Sequence, residues 1–349
     1  MSLSRVFNEK IKHVLIRNFL DLTSHNFMQR LFSSYGGRGV IFTLHHVQPK
    51  YPRYFDPNGI LSVTPEFLEM VITTCLDSGL TPVHLHDLPK LLSDPSDRRR
   101  FVVFTLDDGY RDNAKFAAPI FREFNVPYTI FLTRGFVERS RTMWWETAAA
   151  LVEKVVEFEF DFGNGIETVL GDTLSKKKRN FNKLARFVHS FDEDMAVEMI
   201  DRVAISYLID PIAIVDKLVM NNTEILGLSK DSPVHFGAHT LSHVNLSRVD
   251  RTRLQSEIVE SISSIETLLG IRPRSFSYPY GWSSACRDRE TLAVAKADMH
   301  IAVTTRPGII KSSSLCRLRS LSRVSLNGAY QEKRFVKAIL SGVPFIFTK

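Results

Sequence analysis

Residues 101–113 read FVVFTLDDGYRDN, an apolar run that ends in two adjacent aspartates and a glycine. The run has the length and composition of a strand that is buried on both faces, as in a parallel sheet. Active sites of α/β proteins lie where such strands end, so Asp107 and Asp108 are predicted to lie in a site, although Asp-Gly is also a common turn sequence. Because two adjacent carboxylates repel unless a cation or a proton separates them, this stretch predicts metal binding by one and proton transfer by the other.

The rest of the chain alternates strand-like and helix-like stretches. Residues 40–47 and 127–133 have the composition of buried strands. A helix is predicted to begin at Thr64 and Pro65, a cap followed by a proline at the first helical position, and to end before Gly79. This alternation predicts an α/β fold with a largely parallel sheet, open or closed into a barrel.

Three regions are predicted from changes in this pattern. Residues 1–37 form an N-terminal helical segment, with a basic amphipathic helix around residues 6–19, and residues 38–349 form the main domain. A mainly helical insertion is predicted at about residues 141–232, and it contains one hairpin that turns at the glycines of "GNG", residues 163–165. The N-terminal helix fits either packing against the domain or peripheral contact with a membrane.

Charge, cysteine spacing and the length of apolar runs limit the classes of function and the cellular location that the sequence allows. The net charge is +7, but the basic residues are scattered, so no nucleic-acid groove is predicted. The three cysteines are far apart and form no C-x-x-C pair, which indicates a reducing compartment. Neither a signal peptide nor a transmembrane helix is predicted, so the expected location is cytoplasmic, with the inner membrane face as the alternative for the N-terminal helix.

Two further segments carry residues suited to chemistry. In "HFGAHTLSH" the residues His239 and His243 are four apart, a spacing at which two imidazoles can share a metal, although capping or core histidines also occur at it. Together with Asp108 they make a two-histidine, one-carboxylate set that leaves coordination positions open for water and substrate. In "SFSYPYGW", residues 275–282, a proline and a glycine expose backbone N–H groups that can face an oxyanion.

The order of these three segments resembles the polysaccharide deacetylase family, the metal-dependent carbohydrate esterases that include chitooligosaccharide deacetylases. "TLDDG" matches the first motif of that family, with Leu106 in place of a phenylalanine, "HTLSH" matches the second, and "YPYG" matches the third. The resemblance spans about residues 38–325. It implies an irregular (β/α) barrel of about seven strands, with the N-terminal helix and the helical insertion added to it.

The resemblance also implies roles for individual residues. Asp107 would be the catalytic base, and Asp108, His239 and His243 would hold a divalent metal, with zinc expected and cobalt, nickel or iron as alternatives. The backbone N–H of Tyr280 would help to stabilise the oxyanion. A metal-activated water would then attack an acetamide while the base removes its proton.

Two elements of the family pattern are missing. Many members have an arginine three residues before the tyrosine of the third motif, where this chain has Ser277, and Arg274 or Arg111 are the candidates to replace it. The C-terminal leucine-histidine motif that supplies the acid is also absent. A branch that resembles exopolysaccharide deacetylases takes its acid from a histidine at the end of the first strand.

The segment "TLHHV" fits that position on the first strand, so His45 is the predicted acid and His46 the alternative. Strand alternation predicts that only one of the two faces the site. Four residues are candidates for contact with substrate, the tryptophans because indoles stack on sugar rings: Trp145, Trp282, His46 and Arg274. Core packing is the alternative for Trp145. Five other histidines show no useful spacing and are interpreted as structural: His84, His86, His189, His235 and His300.

The sequence thus predicts a hydrolase that removes N-acetyl groups from an N-acetylated amino sugar in a glycan or its precursor. Two alternatives stay open. One is a non-catalytic carbohydrate-binding protein that has kept the fold, which the missing arginine and histidine favour. The other is a metal-dependent amidase that acts on a non-sugar C–N bond.

Overall fold

The computed structural model describes residues 36–346. The N-terminal helix predicted around residues 6–19, and with it the membrane contact considered for that helix, lies outside the described residues. Among the residues that are described, no helix has both the length and the apolar character needed to cross a membrane.

Eight parallel strands of the described chain form one curled sheet. Its order is β11-β10-β9-β6-β5-β1-β12, and β4 pairs with the first half of β5. The other strands form two small pairs, β2 with β3 and the antiparallel hairpin of β7 with β8. The strands are β1 (Gly39–Leu44), β2 (His46–Val47), β3 (Ser62–Val63), β4 (Leu80–Pro82), β5 (Arg100–Leu106), β6 (Tyr128–Leu132), β7 (Glu157–Asp161), β8 (Ile166–Leu170), β9 (Val234–Ala238), β10 (Ser275–Ser277), β11 (Ile301–Val303) and β12 (Val324–Ser325).

The two ends of the sheet approach each other through Leu321. This residue forms a parallel bridge with Val303 of β11, and three residues later the chain enters β12, which pairs with β1. The sheet therefore curls into an irregular barrel, with seven strands along the path and β4 beside it, as the sequence predicted.

Helices cover the outside of this barrel. The cap predicted at Thr64 is confirmed, since its side chain accepts a hydrogen bond from the Phe67 N–H at the start of α1. Gly270 ends α10 with a positive φ of 68°, which glycine adopts without strain. The helices are α1 (Pro65–Asp77), α2 (Leu88–Ser93), α3 (Ala118–Glu123), α4 (Arg134–Val137), α5 (Trp144–Lys154), α6 (Leu174–Ser190), α7 (Glu193–Ser206), α8 (Pro211–Leu218), α9 (Asn222–Leu228), α10 (Arg251–Leu269), α11 (Asp288–Lys296) and α12 (Lys333–Ser341).

The segment from residue 141 to 232 contributes the helices α5 to α9 and the hairpin of β7 and β8. Gly163 and Gly165, at the turn of the hairpin, have φ values of 92° and 97°, a backbone conformation that favours glycine. This confirms the hairpin that the "GNG" turn predicts.

Strand β5 is buried along almost its whole length because it has packed side chains on both faces. Val102, Phe104 and Leu106 belong to the large core between the sheet and the helices. Phe101 and Val103 belong to a smaller core inside the barrel. The apolar run before the two aspartates is therefore an interior strand of the sheet, between β1 and β6, and it holds Asp107 and Asp108 at its C-terminal end.

Gly237 leaves room inside the barrel for the Phe131 ring. A Cβ at this position would lie 2.5 Å from two atoms of that ring and 2.9 Å from the Ser275 carbonyl oxygen. We expect Gly237→Ala to lower the free energy of unfolding by about 1–3 kcal/mol, because overpacking forces the buried ring or the backbone to shift. Urea unfolding measures this change.

The matched control is Gly227→Ala in α9, where no neighbouring atom lies within 4 Å of the new Cβ. This substitution should stabilise the protein by about 0.4–1 kcal/mol, because alanine loses less backbone entropy on folding. Equal effects of the two substitutions would contradict the packing described for Phe131.

Candidate active site

The three residues predicted as metal ligands lie together at the C-terminal ends of β5 and β9. The Asp108 Oδ1 atom lies 3.6 Å from His239 Nε2 and 3.5 Å from His243 Nε2. Ligands about 2.1 Å from a tetrahedral ion lie about 3.4 Å apart, so these separations suit one shared cation. Asp108 and His239 are each only 2% exposed, so the cluster is shielded from bulk water.

The chemistry of these side chains also fits a divalent metal. His239 Nδ1 donates a hydrogen bond of 2.7 Å to the Ser277 carbonyl oxygen, which leaves the lone pair of Nε2 free toward Asp108. Asp108 Oδ1 is buried and has no hydrogen-bond partner among the described residues. Burial and the neighbouring Asp107 carboxylate raise the pKa of Asp108 to about 8, so a cation is needed to keep this carboxylate ionised at neutral pH.

The backbone around the cluster is strained. Asp108 and His243 have φ values of 72° and 58°, in the left-handed region that non-glycine residues seldom adopt. The loop between the two histidines is held by Glu257, which accepts hydrogen bonds of 2.9 Å from the N–H groups of Leu241 and Ser242. The fully buried Glu257 thus keeps the second histidine beside the first.

Arg323 occupies the place of the arginine that the third motif lacks. Its guanidinium forms two hydrogen bonds with Asp107, Nη1 to Oδ1 at 2.8 Å and Nη2 to Oδ2 at 2.6 Å. Nη2 also donates to the Ser277 hydroxyl at 2.9 Å, and Arg323 is 1% exposed. The small side chain of Ser277 thus meets a guanidinium that comes from the segment before β12.

This ion pair decides the protonation of Asp107. Burial alone would raise the pKa of this carboxyl group, but the charge and the hydrogen bonds of Arg323 hold it well below its usual range, with His239 acting in the same direction. Asp107 is therefore ionised at neutral pH, while the adjacent Asp108 holds a proton unless a cation replaces it.

The two arginines proposed from the sequence as substitutes lie elsewhere, so that prediction is wrong. Arg111 forms an ion pair of 2.7 Å with Glu224. Arg274 is exposed, precedes β10 and acts on the pKa of His84, at the opposite end of the strands. Arg274 is therefore also misplaced for contact with a substrate at this site.

Both histidines at the end of β1 lie beside the cluster, contrary to the expectation from strand alternation. The alternation stops because β1 ends at Leu44 and the chain bends at His45. The Asp107 carboxylate acts on the pKa of His45, and the Asp108 carboxylate acts on that of His46. The two rings nevertheless have different surroundings.

His46 is held by an acidic partner that the sequence did not single out. Its Nδ1 lies 2.5 Å from Asp112 Oδ2, and its ring packs on Tyr110 at 3.6 Å between centroids. Burial lowers the pKa of His46, but the charge and the hydrogen bond of Asp112 outweigh this and raise it. In contrast, burial lowers the pKa of His45 to about 4. Of these two rings, only that of His46 is favoured in its protonated, positively charged form.

Tyr280 enters the site through its backbone and is fixed through its side chain. Its φ is 62°, and among residues 36–346 its N–H has no hydrogen-bond partner. The Tyr280 hydroxyl donates to Glu193 Oε1 at 2.6 Å and accepts from Trp144 Nε1 at 3.0 Å. Helices α5 and α7 thus fix the loop that carries this free N–H.

The two tryptophans proposed as substrate contacts differ in exposure. Trp145 is 8% exposed, donates to the Tyr110 hydroxyl at 3.1 Å and packs against His243, so it supports the cluster from within the core. This supports the alternative of core packing for Trp145 and argues against the sugar platform. Trp282 is 39% exposed and lies 4.9 Å from the Tyr280 ring, so its face is open to a ligand.

Comparison with known proteins agrees with this geometry. The family model described as polysaccharide deacetylase matches residues 94–164 and 211–300, which include Asp107, Asp108, His239, His243 and Tyr280. The chain carries a polysaccharide deacetylase domain. The match is interrupted at residues 165–210, where α6 and α7 lie. A search of the curated proteins finds no match to the chain.

Solved deacetylase structures share the fold at low sequence identity. The deacetylase PplD of Streptococcus pyogenes, solved in complex with acetate, is 15% identical with a TM-score of 0.55, over 83% of this chain and 92% of that one. The polysaccharide deacetylase BC0361 of Bacillus cereus is 14% identical with a TM-score of 0.53, over 86% and 68% of the two chains. A de-N-acetylase of Aggregatibacter actinomycetemcomitans is 14% identical with a TM-score of 0.51, over 83% and 95%.

The Arg323–Asp107 pair predicts a change in pH dependence. Replacing Arg323 by methionine leaves Asp107 buried without its cation, so its pKa rises and the acid limb of kcat/KM moves to higher pH. Breaking a buried pair should also lower the free energy of unfolding by about 3–5 kcal/mol. A pH–rate profile and urea unfolding measure both effects.

Two controls accompany this variant. Arg323→Lys keeps the charge, so its acid limb should lie between those of the natural protein and of Arg323→Met. Arg317→Met removes an exposed arginine and should change neither the acid limb nor the free energy of unfolding. An acid limb that stays in place in Arg323→Met would show that Asp107 does not depend on this partner.

Proposed function

We propose that this chain is a metal-dependent hydrolase that removes N-acetyl groups from an N-acetylated amino sugar in an oligo- or polysaccharide or its precursor. The observation that carries the proposal is the contrast between two adjacent carboxylates. Asp107 is kept ionised by Arg323 and suits a base, while Asp108 faces two imidazoles and suits a cation. The acetate in the PplD structure is the product class that this reaction would release.

The metal would be held by Asp108, His239 and His243. It would acidify a water molecule and polarise the acetamide carbonyl. Zinc suits two imidazoles and a carboxylate best, and cobalt, nickel and iron are also compatible with this donor set.

The residues of the chain supply the proton transfers. Asp107 accepts the proton of the attacking water, and the Tyr280 N–H donates a hydrogen bond to the carbonyl oxygen as it gains charge. We assign the general acid to His46, because Asp112 holds its ring and favours the charged form. His46 protonates the leaving nitrogen as the C–N bond breaks, which yields acetate and a free amine.

A non-catalytic carbohydrate-binding role loses much of its sequence support through Arg323. The missing arginine of the third motif argued for that role, and a guanidinium now contacts the same base from the other edge of the barrel. The pair of His46 and Asp112 likewise offers an acid in place of the absent C-terminal histidine. The cytoplasmic location stays a prediction from the sequence.

The direct test is acetate release from N-acetylglucosamine oligomers by zinc- or cobalt-loaded protein. We expect Asp107→Asn to lower kcat by about 10²–10⁴-fold, the contribution of a general base, while zinc still binds. Unchanged acetate release in this variant would contradict the mechanism. Metal-loaded protein that binds these oligomers without releasing acetate would favour the binding role, and release of ammonia or a ring-opened product from a cyclic amide would favour the amidase.

The assignment of the acid has its own test. We expect His46→Gln to remove the basic limb of the kcat profile and to lower kcat by about 10²–10⁴-fold. His45→Gln is the matched control, since burial keeps that ring neutral, and it should keep the basic limb. The opposite pattern in the two variants would assign the acid to His45.

A further inference from the structure

A second cluster of three histidines lies at the other end of β9. His84 and His86 follow β4, and His235 is the second residue of β9. The centroids of the His235 ring and the other two rings lie 4.2 Å and 4.4 Å apart, and the rings of His84 and His86 are stacked at 5.0 Å. One nitrogen from each ring lies within 4.8 Å of the other two.

This cluster is separate from the candidate active site. Side chains alternate along a strand, so His235, Gly237 and His239 share one face of β9. Four residues of extended strand span about 13 Å, and the Phe131 ring packs on Gly237 between the two histidines. The sequence interpretation of His84, His86 and His235 as unrelated structural residues missed their contact because 149 positions separate His86 from His235.

The three rings have the form that binds a metal. Burial, a neighbouring imidazole and the charge of Arg274 lower the pKa of each ring to about 4, although the Asp87 carboxylate acts in the opposite direction. All three rings are therefore neutral at pH 7. Neutral imidazole is the ligand form of histidine. His84 Nδ1 is buried and has no hydrogen-bond partner in the described part of the chain.

We propose that His84, His86 and His235 form a second site for a divalent transition metal, of the zinc class, at the end of the barrel opposite to the candidate active site. Three imidazoles suit zinc, copper, nickel and cobalt, and exclude magnesium and calcium, which prefer oxygen ligands. Asp87 is placed beside this site, with Oδ1 3.7 Å from His86 Nε2, and offers a carboxylate that offsets the nearby positive charge of Arg274.

The site would connect two parts of the chain that are not neighbours in the sheet. His84 and His86 flank Leu85, and Leu85 and Leu88 are fully buried in the small core inside the barrel. His235 lies in β9, which pairs with β6 and β10 but not with β4. A metal shared by these histidines would hold the segment after β4 against the N-terminal end of β9 and so stabilise the fold.

The test counts metal ions bound to the full chain after chelator treatment and equilibrium dialysis against zinc. We expect two tightly bound zinc ions per chain in the natural sequence. His86→Gln should bind one, and the double variant His239→Gln, His243→Gln should also bind one. The variant that combines all three changes should bind none. Loss of one ligand should weaken zinc binding at the second site by more than about 10- to 100-fold, which is the effect of losing a residue that only hydrogen-bonds to a ligand. The matched control is His300→Gln, an exposed histidine outside both clusters, which should keep two equivalents.

The midpoint of thermal unfolding gives a second readout, which depends neither on enzyme activity nor on a single variant. In the double variant His239→Gln, His243→Gln, zinc should still raise the midpoint of thermal unfolding, because it binds the folded chain only. Adding His235→Asn should abolish that increase, while the midpoint without metal and the far-ultraviolet circular dichroism show that the chain still folds. Zinc stoichiometry that is the same in His86→Gln and in the natural sequence would overturn the proposal, whatever the outcome for acetate release.

Discussion

Two buried carboxylates at the end of one strand are the constraint on which the site depends. Asp107 and Asp108 are each 2% exposed, and burying both as anions side by side would be strongly unfavourable. The protein offers each carboxylate a different kind of partner. Arg323 is a fixed cation that pairs with Asp107 through two hydrogen bonds, and the cluster of Asp108 with two imidazoles is suited to an exchangeable one.

The barrel brings these partners together from distant parts of the chain. Arg323 directly precedes β12, which pairs with β1, and its side chain crosses the inside of the curled sheet to Asp107 at the end of β5. The helices between residues 141 and 232 act from the other side, since Glu193 and Trp144 hold the Tyr280 hydroxyl and leave its N–H free. Strained backbone at Asp108 and Tyr280 is tolerated because these contacts fix both loops.

The sequence predicts local features well and distant partners poorly. The buried strand before Asp107, the cap at Thr64 and the spacing of His239 and His243 follow from short patterns, and the structure contains them all. Arg323 was missed because its role depends on closure of the sheet, which no local pattern encodes. The prediction from strand alternation failed at His45 because β1 ends one residue earlier. The burial of Trp145 could not be predicted, because an indole in a buried helix looks the same in sequence as one in an open groove.

The division of roles between the two aspartates requires that Asp107 is ionised without metal while Asp108 carries a proton that a cation displaces. Infrared difference spectroscopy of the full chain at pH 7, with and without zinc, tests it directly. We expect zinc to remove the carbonyl absorption of one protonated carboxyl group, and we expect Asp108→Asn to lack this change. A difference spectrum with no loss of a protonated carboxyl, or a loss that disappears only in Asp107→Asn, would contradict the division of roles between the two aspartates.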